Sequence, residues 1–63
     1  MLLLSAKLTF EGTITSIAVT EDKDVYTLFV LVNGRTTSTK TFGERELALS
    51  HALGVIEKQV HAL

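Results

Sequence analysis

An α+β domain is predicted for this 63-residue chain: a three-stranded antiparallel sheet followed by one C-terminal helix packed on one sheet face. Three features predict it. Apolar residues alternate at period two near the N-terminus, Asn33 and Gly34 separate two β-rich runs, and the apolar spacing changes to helical offsets after Glu44. The length admits a single domain over residues 1–63.

Leu4, Ala6, Leu8 and Phe10 alternate with Ser5, Lys7 and Thr9, as in a strand with one buried face. Gly12 interrupts this pattern, and residues 13–20 resume it with Ile14, Ile17 and Val19 in shifted parity. The reading is one long first strand, bent or bulged near Gly12. Residues 21–24, Glu-Asp-Lys-Asp, are the most hydrophilic stretch and read as a hairpin loop. The second strand, Val25–Val32, is apolar on both parities apart from Thr27 and the Tyr26 hydroxyl, which places it centrally.

Asn33 and Gly34 tolerate the positive φ that a type I′ turn requires at both central residues. A two-residue loop sets Val32 opposite Arg35, Val30 opposite Thr37 and Tyr26 opposite Thr41. On the other face it sets Leu31 opposite Thr36, Phe29 opposite Ser38 and Val25 opposite Phe42. The third strand, Arg35–Phe42, has high β propensity but little apolar surface, so it reads as an edge. From Glu44 to about Ala62, Leu49, Leu53, Ile56, Val60 and Leu63 follow helical offsets beside Ala48, Ala52 and Val55. Thr41 and Glu44 have capping-box spacing, with Gly43 as an alternative N-cap. Gly54 within the helix costs about 1 kcal/mol relative to alanine and predicts close approach to a strand or another helix.

A chain this short buries little apolar surface and gains from a staple, yet it has no cysteine, which removes disulfides and most structural zinc sites. Mean hydropathy is +0.33. One helix roofs one face of a three-stranded sheet, whereas the second strand asks for cover on both. A homodimer or larger homo-oligomer, formed through sheet faces or through sheet edges joined across a two-fold axis, resolves this, with Tyr26, Leu28, Val30, Val32, Phe29 and Leu31 as candidate interface residues. The edge at residues 36–41 also offers unpaired backbone groups to a partner strand, with Lys40 as the charge that blunts unwanted pairing.

Candidate chemistry is sparse. His51 and His61 do not share a helix face, while Glu57 and His61 are four residues apart and read first as a solvated pair near the helix end. Ser5, Ser16, Ser38 and Ser50 lie in ordinary strand or helix positions, none in a glycine-flanked elbow. Asp22 and Asp24 read as turn residues, and the four glycines form no phosphate loop. No enzyme activity, metal or cofactor is expected. A net charge of −1 with a pI near 6.0 provides no field for a polyanion or an anionic membrane. The run from Met1 to Leu4 is too short for a signal-peptide core or a membrane span, so a cytoplasmic protein is expected.

Tyr26-Thr-Leu-Phe-Val-Leu-Val-Asn-Gly34, then Gly43, Ala48, Ala52, Leu53 and Ile56, resemble the C-terminal half of double-stranded RNA-binding domains. The likeness covers residues 26–60 and implies strand, turn, strand and helix in that order. It also implies duplex RNA as a partner, for which Arg35, Lys40 and Arg45 are the candidate basic patch. That family has a helix ahead of its strands, and phosphate-gripping lysines where this chain has Glu44-Arg45-Glu46-Leu47. In size and style the chain is similar to small accessory proteins of bacteriophages and prophages. The expected function is a non-catalytic interaction or regulatory module acting as a homo-oligomer, with a nucleic-acid-binding accessory protein as the alternative.

Overall fold

The computed structural model describes residues 1–61. Four strands, β1 (Leu2–Phe10), β2 (Thr13–Asp22), β3 (Val25–Val32) and β4 (Arg35–Phe42), form an antiparallel sheet in sequential order, and the helix α1 (Arg45–His61) packs on one face. The α+β class and the C-terminal helix agree with the sequence reading, but the sheet has four strands instead of three. The correction lies at Glu11 and Gly12. Both have positive φ, 48° and 83°, so the chain reverses there and pairs Phe10 with Thr13. A bulge and a two-residue hairpin shift apolar parity in the same way, and only the hairpin reverses the strand.

The same backbone geometry recurs at Lys23 and Asp24, with φ of 52° and 64°, and at Asn33 and Gly34, with 51° and 84°. Positive φ at both central residues is the type I′ pattern, whose twist matches that of the flanking strands. The loop expected over residues 21–24 is therefore two residues long, because Glu21 and Asp22 pair with Tyr26 and Val25. Asn33 adds a second function to its turn. Its side-chain Oδ1 accepts from the Ile14 amide at 2.9 Å, and its own amide donates to the Ile14 carbonyl at 2.7 Å.

Between β3 and β4 the expected register holds for Val32 opposite Arg35 and Leu31 opposite Thr36, then slips by one residue. Val30 faces Ser38, Leu28 faces Lys40 and Tyr26 faces Phe42. Thr37 is the extra residue of this bulge, and its hydroxyl donates to the Val30 carbonyl at 3.1 Å. The slip moves Phe42 from the face of Val25 to the helix face. There its ring lies 5.0 Å from that of His51.

Ile17, Val19, Leu28, Ala48 and Ala52 form the buried core. Ala48 and Ala52, one turn apart, present only methyl groups and let the helix lie close to the sheet. The stripe of Leu49, Leu53, Ile56 and Val60 is thus turned to one side of the contact. Leu53 stays 53% exposed and Val60 48%. The helix begins where Glu44, at the N-cap position, accepts the Ala48 amide on its carbonyl at 3.3 Å. A Cβ added at Gly54 would meet nothing within 4 Å, so the close approach expected there is not made within the chain. The expected helix end at Ala62 and the place of Leu63 lie outside the described residues, as does the side chain of His61.

Candidate assembly surface

The two edges of the sheet differ sharply. β4 is exposed along its length except at Phe42, carries Arg35 and Lys40, and is broken by the Thr37 bulge. Charge and irregularity of this kind discourage a second strand from pairing. The edge idea raised for residues 36–41 therefore falls on a guarded strand. β1, Leu-Leu-Leu-Ser-Ala-Lys-Leu-Thr-Phe, is nine residues long with one charge, Lys7. From Leu4 to Phe10 its pairing with β2 is regular, and its single irregularity lies between Leu2 and Leu4. Its outer side is a long, largely apolar edge with a single charge, regular from Leu4 to Phe10.

The free backbone groups on that edge can be assigned. The residues flanking a two-residue turn exchange both ladder hydrogen bonds, and the pattern alternates outward from them. Phe10, Leu8, Ala6 and Leu4 thus bond to β2. Ser5, Lys7 and Thr9 point their amides and carbonyls away from it.

Side chains extend the apolar character onto the helix side. Leu4, Ala6 and Leu8 are half-buried there and Phe10 is 45% exposed. The helix rests on β2, β3 and β4. Contact between His51 and Phe42 turns one helix flank toward β4. At 100° per residue, Leu49, Leu53, Ile56 and Val60 then occupy the opposite flank, on the side where β1 lies. Two apolar rows, one on the strand and one on the helix, border the same uncovered strip.

The six interface candidates from the sequence divide between faces. Tyr26, Leu28, Val30 and Val32 lie on the helix side, with Leu28 inside the core. Phe29 and Leu31 lie on the open face, half-buried among Ser16, Ala18, Thr36 and Thr39. That face is less apolar than strand parity alone implied. β1 gives it Ser5, Lys7 and Thr9, and β4 gives it threonines, so its greasy part is a stripe along β3 flanked by Ile14 and Ala18. The edge residues Leu4, Ala6 and Leu8 were missed as candidates. Their signal was the Glu11 and Gly12 turn, which makes β1 an outer strand.

The three cations of the expected basic patch are spread along β4 and the first turn of the helix. Arg35 and Lys40 are separated by about 17 Å along β4 at the usual rise per residue. Arg45 lines a shallow cleft with Tyr26, Glu44 and Glu46, where two carboxylates offset its charge. In that region the Tyr26 hydroxyl donates to Glu21 Oε2 at 3.1 Å. Partial burial of the ring, then the Glu21 hydrogen bond and charge, push the phenol above its ordinary range, with Asp24 adding to the effect and Arg45 opposing it. Two further depressions on the outer helix surface meet at Gly54, both shallow and open. Among the described residues no three His, Cys, Asp or Glu side chains converge as a metal site would need, and no helix is long and apolar enough to cross a membrane.

Comparison with protein-family models, with curated proteins and with solved structures finds no match for this chain.

Proposed function

We propose that this chain is a non-catalytic interaction module that works as an assembly of its own copies. The observation that carries the reading is the contrast between the two sheet edges, one polar, doubly charged and broken by a bulge in its middle, the other largely apolar, with one charge and regular from Leu4 to Phe10. Surface area supports it. The chain exposes 4511 Å², against about 4,000 Å² for a compact monomer of its mass. Among the described residues the buried hydrophobic core is five side chains, two of them alanines, a small store of burial energy for an isolated domain.

Sedimentation equilibrium between about 1 and 100 μM tests this reading, with thermal unfolding over the same range. Mass action raises the melting midpoint of an oligomer with concentration. The expected result is a species heavier than 6.9 kDa and a rising midpoint. A 6.9 kDa species throughout, with a fixed midpoint, overturns the proposal. A gel shift on duplex RNA at about 50 mM salt separates it from the nucleic-acid alternative, which requires retention that weakens steeply toward 200 mM. Scattered, partly neutralised cations favour no retention.

A further inference from the structure

Deepening the proposed self-assembly, and resting on it, we infer that two copies join through antiparallel pairing of β1 with β1 about a two-fold axis at Ala6, forming a continuous eight-stranded sheet with both helices on one face. Four observations converge on this. Ser5, Lys7 and Thr9 present free amides and carbonyls on a regular edge, the template that β-strand addition requires. A two-fold axis relating antiparallel neighbours in one sheet stands perpendicular to it, so both helices fall on the same side. The exposed flank of α1, with Leu53 and Val60, then overlooks the joined β1 rows instead of water. The opposite edge is unsuited to the same pairing because of Arg35, Lys40 and the Thr37 bulge.

Charge and overlap fix the register. Centring on Ala6 sets Leu4 opposite the partner's Leu8 and Ser5 opposite the partner's Lys7 within the regular stretch, and brings Leu2 toward the partner's Phe10 across the irregularity between Leu2 and Leu4. Centring on Lys7 would set like charges face to face, which destabilises a strand pair. Centring on Ser5 leaves Thr9 and Phe10 without partners. A nine-residue strand is about 30 Å long. With the helix flank included the contact is about 20 Å wide, so the pair hides roughly 1,200 Å² in all, at the lower end of what a stable complex buries.

Ala6 bonds inward to β2, so Ala6 and the partner's Ala6 form a non-hydrogen-bonded pair with Cα atoms about 4.5 Å apart. That separation falls within disulfide reach. The chain has no cysteine of its own, so Ala6→Cys reports the axis directly. Oxidised with copper phenanthroline at about 50 μM, Ala6→Cys is expected to run almost wholly as a covalent dimer. Ser38→Cys, at the middle of β4, is expected to remain a monomeric thiol. Lys7→Pro removes an outward amide that the single chain does not use, and it is expected to weaken self-association at least tenfold while the helix signal persists. If Lys7→Pro unfolds, the cross-linking result decides alone. A self-associating chain in which Ala6→Cys stays reduced, or Ser38→Cys links instead, overturns the β1 pairing and leaves the proposed self-assembly standing. A chain that stays monomeric at every concentration overturns both.

Discussion

Replacing Phe42 with alanine tests the β3–β4 slip, since the bulge at Thr37 decides which face Phe42 occupies. In the structure the ring is half-buried on the helix side, packs against the core and lies 5.0 Å from His51. Truncating a fully buried phenylalanine costs about 3–5 kcal/mol. Half-burial brings this to about 2 kcal/mol, which includes about 0.5 kcal/mol for the aromatic pair. In a domain of this size that is a fall of about 8–15 °C in melting midpoint. Val25 on the open face is 48% exposed, and Val25→Ala should cost about 0.5 kcal/mol or less. Urea unfolding at one fixed protein concentration gives both values, and a double-mutant cycle with His51→Ala isolates the ring contact at about 0.5 kcal/mol. If Phe42→Ala proves neutral while Val25→Ala is costly, the straight register holds, Phe42 lies on the open face and the bulge is refuted.

Three further changes follow from local geometry. Gly54→Ala places a methyl group in open space within a helix and should raise stability by about 1 kcal/mol in urea unfolding. The pair Lys23→Asn and Asp24→Gly supplies residues suited to the positive φ already present, and should raise stability by about 0.5–1 kcal/mol, or a few degrees in midpoint. Because the Tyr26 phenol holds its proton more tightly when folded, its contribution is fully present below the ordinary tyrosine value near 10 and is lost as pH rises through the raised folded value. Tyr26→Phe should therefore flatten the fall in stability that sets in above about pH 10, measured by urea unfolding at each pH.

Where local chemistry is strong, the chain is readable in advance. Asn33 and Gly34 fix a turn and the first two pairs beyond it, Val25–Val32 takes its central place through its apolar density, and the apolar offsets beyond Glu44 mark a helix. Errors arise where one pattern serves two geometries. A glutamate before Gly12 is a poor type I′ residue, and the parity change there suits a bulge as well as a reversal, so β1 merged with β2 and its free edge went unseen. Thr37 gives no local sign of its bulge. That slip is set by the gain from carrying Phe42 to the helix, a tertiary effect. The helix stripe was found but its rotation was not, because alanines win the inner position by allowing close approach, a preference that hydropathy ranks below leucine. Strand parity also ignores neighbours: Ser16, Thr36 and Thr39 flank Phe29 and Leu31 on the open face, which parity alone leaves bare.

Amide hydrogen exchange resolved by residue tests most directly whether β1 is completed by another copy. Among the described residues the outward amides of Ser5, Lys7 and Thr9 have no acceptor, so their protection reports the edge itself. These three amides are expected to exchange at nearly unprotected rates in dilute solution and to slow toward the rates of β2 as concentration rises, while free amides on β4 stay fast. Rapid exchange at all three positions at every concentration would contradict the β1 pairing.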